Sequence, residues 1–200
     1  DNRSGYIQDR FDEILVVDKN NNRIQKFDNS LDFSYLFGTF GRSNQQFNAP
    51  WGIATYAKNY LYITDTLNHR ILNYEIKGTY TGELNCSPSK LTTIDRSKLT
   101  FNEPKGIDIG REGNIYIADS GNDRIVEIAP DGYFISEIKE MEFEAGFLSN
   151  PSDVKADKSG NIFIADTGND RVLGFDTLRR MTLKIDNLKN PSGIAFDNEG

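Results

Sequence analysis

Short apolar runs, separated by clusters of turn-forming residues, recur from one end of the chain to the other. The clearest series begins at Pro104. Pro104-Lys105-Gly106-Ile107-Asp108-Ile109 predicts a strand opened by a proline, which lacks an N–H and is tolerated at a strand start. Arg111-Glu112-Gly113-Asn114 is a turn rich in residues that accept positive φ. Ile115-Tyr116-Ile117-Ala118 predicts a second strand, apolar at every position and so buried on both faces. Asp119 to Arg124 is the next turn, Ile125-Val126-Glu127-Ile128 the third strand, Pro130-Asp131-Gly132 a third turn, and Tyr133 to Ile138 the fourth strand. Helical periodicity is absent, so the unit reads as a four-stranded antiparallel meander.

The unit recurs around one turn pattern, found four times: Asp18-Lys19-Asn20-Asn21-Asn22-Arg23-Ile24, Asp65-Thr66-Leu67-Asn68-His69-Arg70-Ile71, Asp119-Ser120-Gly121-Asn122-Asp123-Arg124-Ile125 and Asp166-Thr167-Gly168-Asn169-Asp170-Arg171-Val172. The copies start 47, 54 and 47 residues apart, a period that signals a stacked array of one supersecondary unit. Pro50-Trp51-Gly52-Ile53 and Pro151-Ser152-Asp153-Val154 open the second and fourth units. Gly5 precedes Asp18 by the 13 residues that separate Gly106 from Asp119, so Gly5 to Gln8 is the expected first strand, with Arg3 at the proline position. Pro191-Ser192-Gly193-Ile194-Ala195-Phe196-Asp197 opens a fifth unit. The predicted units span residues 3–49, 50–103, 104–150, 151–190 and, as a first strand only, 191–200, together one partial domain over 1–200. Four units and a lone strand read as part of a larger ring.

Within each turn, Asp18 and Arg23, Asp65 and Arg70, Asp119 and Arg124, and Asp166 and Arg171 are expected to face one another across a hairpin. Such cross-strand pairs contribute about 0.2–1 kcal/mol. The arginine fork can also donate to carbonyls of the adjacent unit. The Asn and Gly between the charged residues are expected to supply the positive φ of the turn. These pairs read as structural, because a residue present in every unit serves the unit. No copy supplies the acidic spacing and distant Glu of an EF-hand calcium loop.

The charge is uneven. The net charge is −7; residues 1–100 hold 12 basic and 11 acidic side chains, whereas 101–200 hold 11 and 19, with Glu137, Glu140, Glu142 and Glu144 clustered. That field repels phosphate backbones and disfavours general nucleic-acid binding, although a local basic patch stays compatible with it. Cys86 is the only cysteine, so no disulfide forms within the chain and the compartment stays open. No stretch approaches the roughly 18 consecutive apolar residues of a membrane-spanning helix.

The repeated residues resemble the NHL repeat, whose pattern runs Pro-x-Gly-[Ile/Val]-Ala, then Gly-Asn-[Ile/Leu]-[Tyr/Phe]-[Val/Ile]-[Ala/Thr]-Asp, then Asn-x-Arg-[Ile/Val]. The segment from Phe37 to Ala54 is similar to the connection between two NHL blades. The resemblance implies an all-β fold, a β-propeller of four-stranded antiparallel blades, six-bladed as is usual in this family. Asp153 departs from it by replacing the glycine of Pro-x-Gly, and the stretch Asn85 to Lys98 is expanded by 7 residues.

In such a meander the turn between strands two and three lies on the side of the link to the next blade. Loops on a rigid scaffold are the usual place for binding residues. The expected partner-binding face is therefore Arg42, Asn68, His69, Asn122, Asp123, Asn169 and Asp170, with Trp51, Lys105, Ser152 and Ser192 from the second position of each opening segment. The loops Ser87 to Lys98 and Glu142 to Asn150 share that face. Trp51 is a stacking platform or interface anchor on one reading and a cover for the seam between blades on the other. His69 reads as a solvated turn histidine.

Three functions compete. The favoured one is a non-catalytic scaffold for a protein or peptide partner, with no cofactor implied, because one His and one Cys offer no nucleophile–base pair. The second is a metal-dependent enzyme like the propeller lyases and lactonases, with Asp108 and Asp153 near places on the innermost strands suited to metal ligands. The third is single-stranded RNA binding, known for NHL propellers, for which Trp51, Arg42 and Lys105 are suitable and Glu142 and Glu144 are not.

Overall fold

The computed structural model describes residues 5–8, 13–56, 59–84, 100–141 and 146–197. The expectations attached to Arg3, Cys86, the expanded stretch and its loop, Glu142 and Glu144 lie outside the described residues. Every regular element among the described residues is a strand or a single turn of 3-10 helix.

The strands form four antiparallel four-stranded sheets. The first holds β1 (Gly5–Gln8), β2 (Ile14–Asp18), β3 (Arg23–Phe27) and β4 (Phe33–Phe37). A short parallel pair, β5 (Thr39–Phe40) and β6 (Gln46–Phe47), leads to the second sheet. That sheet is β7 (Pro50–Tyr56), β8 (Tyr60–Asp65), β9 (Arg70–Glu75) and β10 (Tyr80–Glu83). The third is β11 (Pro104–Ile109), β12 (Ile115–Asp119), β13 (Arg124–Ile128) and β14 (Phe134–Ile138). The two-residue strands β15 (Glu140–Met141) and β16 (Gly146–Phe147) precede the fourth: β17 (Asp153–Ala156), β18 (Ile162–Asp166), β19 (Arg171–Phe175) and β20 (Met181–Ile185). Sequence order is spatial order in each sheet, as a meander requires. The fold is all-β, and the four-stranded sheets are propeller blades.

The chain divides into two compact units, Asp1–Leu84 and Asn85–Gly200. In the first unit, Leu15, Val17 and Ile24 pack against Ile53, Leu61, Ile63, Leu72 and Tyr74. Phe47 closes this seam, its ring centroid 5.9 Å from that of Tyr74, with Phe37 4.9 Å from Tyr74 on another side. Gly38 permits this: at φ +98 its backbone suits few other residues, and a Cβ there would meet the Phe47 ring at 2.5 Å. In the second unit Tyr116, Ala118 and Ile125 pack against Val154, Ile162, Ile164, Leu173 and Phe175, with Leu148 in the position of Phe47. Every residue of Ile115–Asp119 is buried, the outcome expected from its unbroken apolar run.

The strand expected at 191–197 forms no ladder, since no described strand pairs with it. Its placement is nevertheless fixed. Thr167 Oγ1 donates to the Pro191 carbonyl at 2.7 Å, the Ile194 N–H donates to Asp153 Oδ2 at 2.9 Å, and Phe196 meets Phe163 edge-on at 5.2 Å between centroids.

Candidate functional site

Each repeated turn is one strained residue and one saturated carboxylate. Asp pairs with Arg in register across the hairpin in all four copies. Asp65 shows the full set. Its Oδ1 accepts the Asn48 N–H at 2.6 Å, and its Oδ2 accepts from Asn68 Nδ2 at 2.8 Å and Arg70 Nε at 2.8 Å. Asp119 accepts from Asn102, Asn122 and Arg124, and Asp166 from Ser149, Asn169 and Arg171, in the same way. All three carboxylates are fully buried. Asp18, in a more open turn, is held below the usual carboxylate range: burial opposes ionisation there, but bonds from Arg23, Asn21 and Gln25 outweigh it.

The arginine fork reaches the link between blades. Arg70 Nη2 donates to the carbonyls of Ser43 at 3.1 Å and Gln46 at 3.0 Å, while Arg124 and Arg171 donate to Thr100 and Phe147. Asn68 Nδ2 also donates to the Gly41 carbonyl, Asn122 to that of Thr100 and Asn169 to that of Phe147. The three asparagines named for the partner face thus bind the turn to its own link.

The positive φ falls on an asparagine, as expected, only in the first turn. It belongs to the residue just before the arginine, namely Asn22, His69, Asp123 and Asp170, with φ from 53 to 58. Gly121 and Gly168 serve instead for close approach: a Cβ at Gly121 would lie 2.6 Å from the Asn102 side chain, and one at Gly168 2.7 Å from the Ser149 carbonyl oxygen. The left-handed residue also has a task that periodicity does not disclose. Asn22, Asp123 and Asp170 accept the N–H of Ala49, Asn150 and Asn190 respectively, each the residue before the next unit's proline. Those three are themselves left-handed, with φ from 46 to 52.

The opening segments differ from one another. Ser152 is buried and donates to the Pro191 carbonyl at 3.1 Å, beside the Thr167 hydroxyl that donates to the same oxygen. Lys105 is half-buried and donates to Asn150 Oδ1 at 2.8 Å; burial lowers its pKa. Ser192 is exposed. Trp51 is half-buried, with Lys19 Nζ 3.8 Å over its ring. Arg42 and His69 are exposed.

Asp108 and Asp153 do come together, on adjacent strands β11 and β17. Asp108 Oδ2 accepts the Ala156 N–H at 2.9 Å, and Asp153 accepts from Val154 and Ile194. Lys155 Nζ lies 4.0 Å from a carboxylate oxygen of each. Lys155 thus sets a positive charge beside both carboxylates, and among the described residues no three His, Cys, Asp or Glu side chains gather as ligands. Burial raises Asp153 above its ordinary 3.8, against the pull of Lys155 and two backbone N–H groups and with a small further rise from Asp108. A raised carboxyl favours the fold at low pH, and that contribution is lost as pH rises through the folded value. Asp153→Asn is accordingly expected to gain stability relative to the natural chain as pH rises from 3.8 toward neutral, whatever the fixed cost of the acceptor oxygen it loses. Urea titrations at both ends of that range read it; equal gaps would overturn the account.

Two further polar features lie at the opposite ends of the blades. Glu127 accepts from Asn114, Tyr116, Ser136 and Arg179, and its charge adds to burial in raising the Tyr116 pKa. In the first unit Glu13, Lys26, Asp28, Asn29, Ile76 and Lys77 line a cleft of about 520 Å³.

Residues absent from the sequence-based list are Lys19, Phe40 and Leu67. Phe40 is 69% and Leu67 48% exposed, on the link and turn of the first unit. An apolar residue at the glycine position of the turn pattern was the signal available for Leu67.

The NHL repeat family model matches residues 101–128 and 148–175. No curated protein matches the chain. Among solved structures, virginiamycin B lyase from Staphylococcus aureus is 17% identical, with a TM-score of 0.68 over 98% of this chain and 60% of that one. A gluconolactonase from Xanthomonas campestris is 13% identical, with a TM-score of 0.70 over 98% of this chain and 66% of that one. A nidogen/laminin complex is matched at 19% identity, with a TM-score of 0.69 over 95% of this chain and 66% of that one. The chain therefore spans less than two thirds of the length of these proteins, and likeness at these identities concerns the fold.

Proposed function

We propose, for a chain that carries NHL repeats and folds as β-propeller blades, that it is a non-catalytic scaffold presenting loop ends to a protein or peptide. One observation carries this reading. The polar side chains repeated in every blade are consumed by the fold, whereas Arg42, Phe40 and Leu67, which no other blade repeats, stand exposed on the first unit's link and turn. Carboxylates fully buried under three donors are closed to a substrate. Exposed Phe and Leu beside Arg are what a protein partner uses. The nidogen/laminin structure, a protein complex, supports the same use of the fold.

The second reading, a metal-dependent enzyme, is supported by the likeness to a lyase and a gluconolactonase and by the Asp108–Lys155–Asp153 cluster. The lysine beside both carboxylates disfavours a metal at this cluster. One experiment separates the two: selection of the chain against a displayed random-peptide library, with calcium and zinc measured on the same full-length protein. Enrichment of a shared peptide pattern without stoichiometric metal is the expected result. One equivalent of metal, together with turnover of a lactone, would replace the scaffold reading.

A further inference from the structure

The first unit gathers three segments at one end: the turn 19–23, the link 38–51 and the turn 66–70. Hydrogen bonds join them. Asn68 donates to Gly41, Arg70 to Ser43 and Gln46, Leu67 N–H to Asn48, and Ala49 N–H to Asn22, while Lys19 covers Trp51. These segments contain no Asp or Glu at all, but carry Lys19, Arg23, Arg42, His69 and Arg70. The carboxylates against them are Asp65, fully buried, Asp18, largely covered by Arg23 and Asn21, and at the flank Glu83, 3.8 Å from Arg70. Phe40 and Leu67 stand out of this rim into solvent, with Arg42 and His69 exposed beside them. The matching segments of the second unit have the opposite character in sequence: Asp123 and Asp170 in the turns, and Glu140, Glu142 and Glu144 in the link.

Resting on the scaffold reading, we propose that the basic rim of the first unit binds an acidic peptide segment that also carries aliphatic or aromatic side chains. Charge decides the class of partner. In a chain of net charge −7, a rim whose segments carry Lys19, Arg23, Arg42 and Arg70 and hold no carboxylate of their own attracts carboxylates and repels basic segments. The two exposed apolar side chains supply what charge alone does not, a desolvated anchor of the kind that dominates peptide affinity. Nucleic acid shares the negative charge, but Leu67 stacks on no base, and Trp51 already has Lys19 over its ring.

The test titrates the 200-residue chain, by fluorescence anisotropy, with three short labelled peptides and an oligouridylate of equal charge. In the peptides, glutamate, serine or lysine alternates with leucine and phenylalanine. The glutamate peptide is expected to bind tightest, to weaken as salt is raised, and to lose about tenfold with Arg42→Glu or Leu67→Asp. Arg111→Glu, an exposed charge reversal on the second unit, is expected to leave binding unchanged. Tightest binding of the serine or lysine peptide would overturn the charge rule and leave the scaffold reading in place. An equal loss with Arg111→Glu would overturn the assignment to this rim. Binding of oligouridylate but of no peptide would overturn both readings.

Discussion

Arg70→Met is expected to lower the stability of the first unit by roughly 3–5 kcal/mol, the cost of leaving a buried carboxylate without its cation. Asp65 is fully buried and Arg70 is only 8% exposed. Removing the guanidinium also strips the Ser43 and Gln46 carbonyls of their donor. The same change at Arg23, whose pair is 34% and 16% exposed, is expected to cost about 1 kcal/mol, because water replaces the lost partner. Urea unfolding followed through Trp51, the only tryptophan, reads both variants. Equal midpoints would show that burial does not set the worth of these pairs.

Phe47→Ala is the second large effect, expected at about 3–5 kcal/mol for deleting a buried aromatic that the surrounding sheets cannot collapse to replace. Phe47 is fully buried and touches the rings of both Phe37 and Tyr74, so its loss opens the seam between the first two sheets. Phe47→Leu is expected to cost about 1–2 kcal/mol, since Leu148 fills the matching position of the second unit. The same fluorescence titration distinguishes these outcomes. A leucine variant as damaged as the alanine one would mean that ring contacts, and not filled volume, hold the seam.

These two residues illustrate how differently the sequence informs on structure. The Asp–Arg register was legible from spacing, because a hairpin pairs residues a fixed number of positions apart and needs no knowledge of the rest of the chain. The energetic weight of the pair was not legible. A cross-strand pair on a solvated sheet is a minor contribution, whereas the same pair beneath an inter-blade link is among the most costly to break, and burial is a property of the neighbours. Positive φ was likewise expected in the turn at Asn and Gly, and it falls so only at Asn22. The left-handed position went to Asn22, His69, Asp123 and Asp170, and in three of those copies the side chain holds the backbone of the following unit. The signal in the sequence was the short polar residue before each arginine; its partner lies 20 to 27 positions away.

The candidate surface divides in the same manner. Arg42 and His69 were expected on the binding face and are exposed, while Asn68, Asn122, Asn169 and Ser152 are drawn into bonds within the blades. Asp108 and Asp153 were read as carboxylates near places suited to a metal ligand, but the ammonium of Lys155 beside both was not foreseen.

By itself the sequence determined the blades: their strands, turns and hairpin register follow from local periodicity and turn chemistry, which act over a few residues. Only the tertiary structure decided which repeated side chains are spent on the fold and which face solvent. That choice depends on groups distant in sequence that approach once neighbouring sheets pack, where each buried carboxylate must find its donors and each exposed one need not.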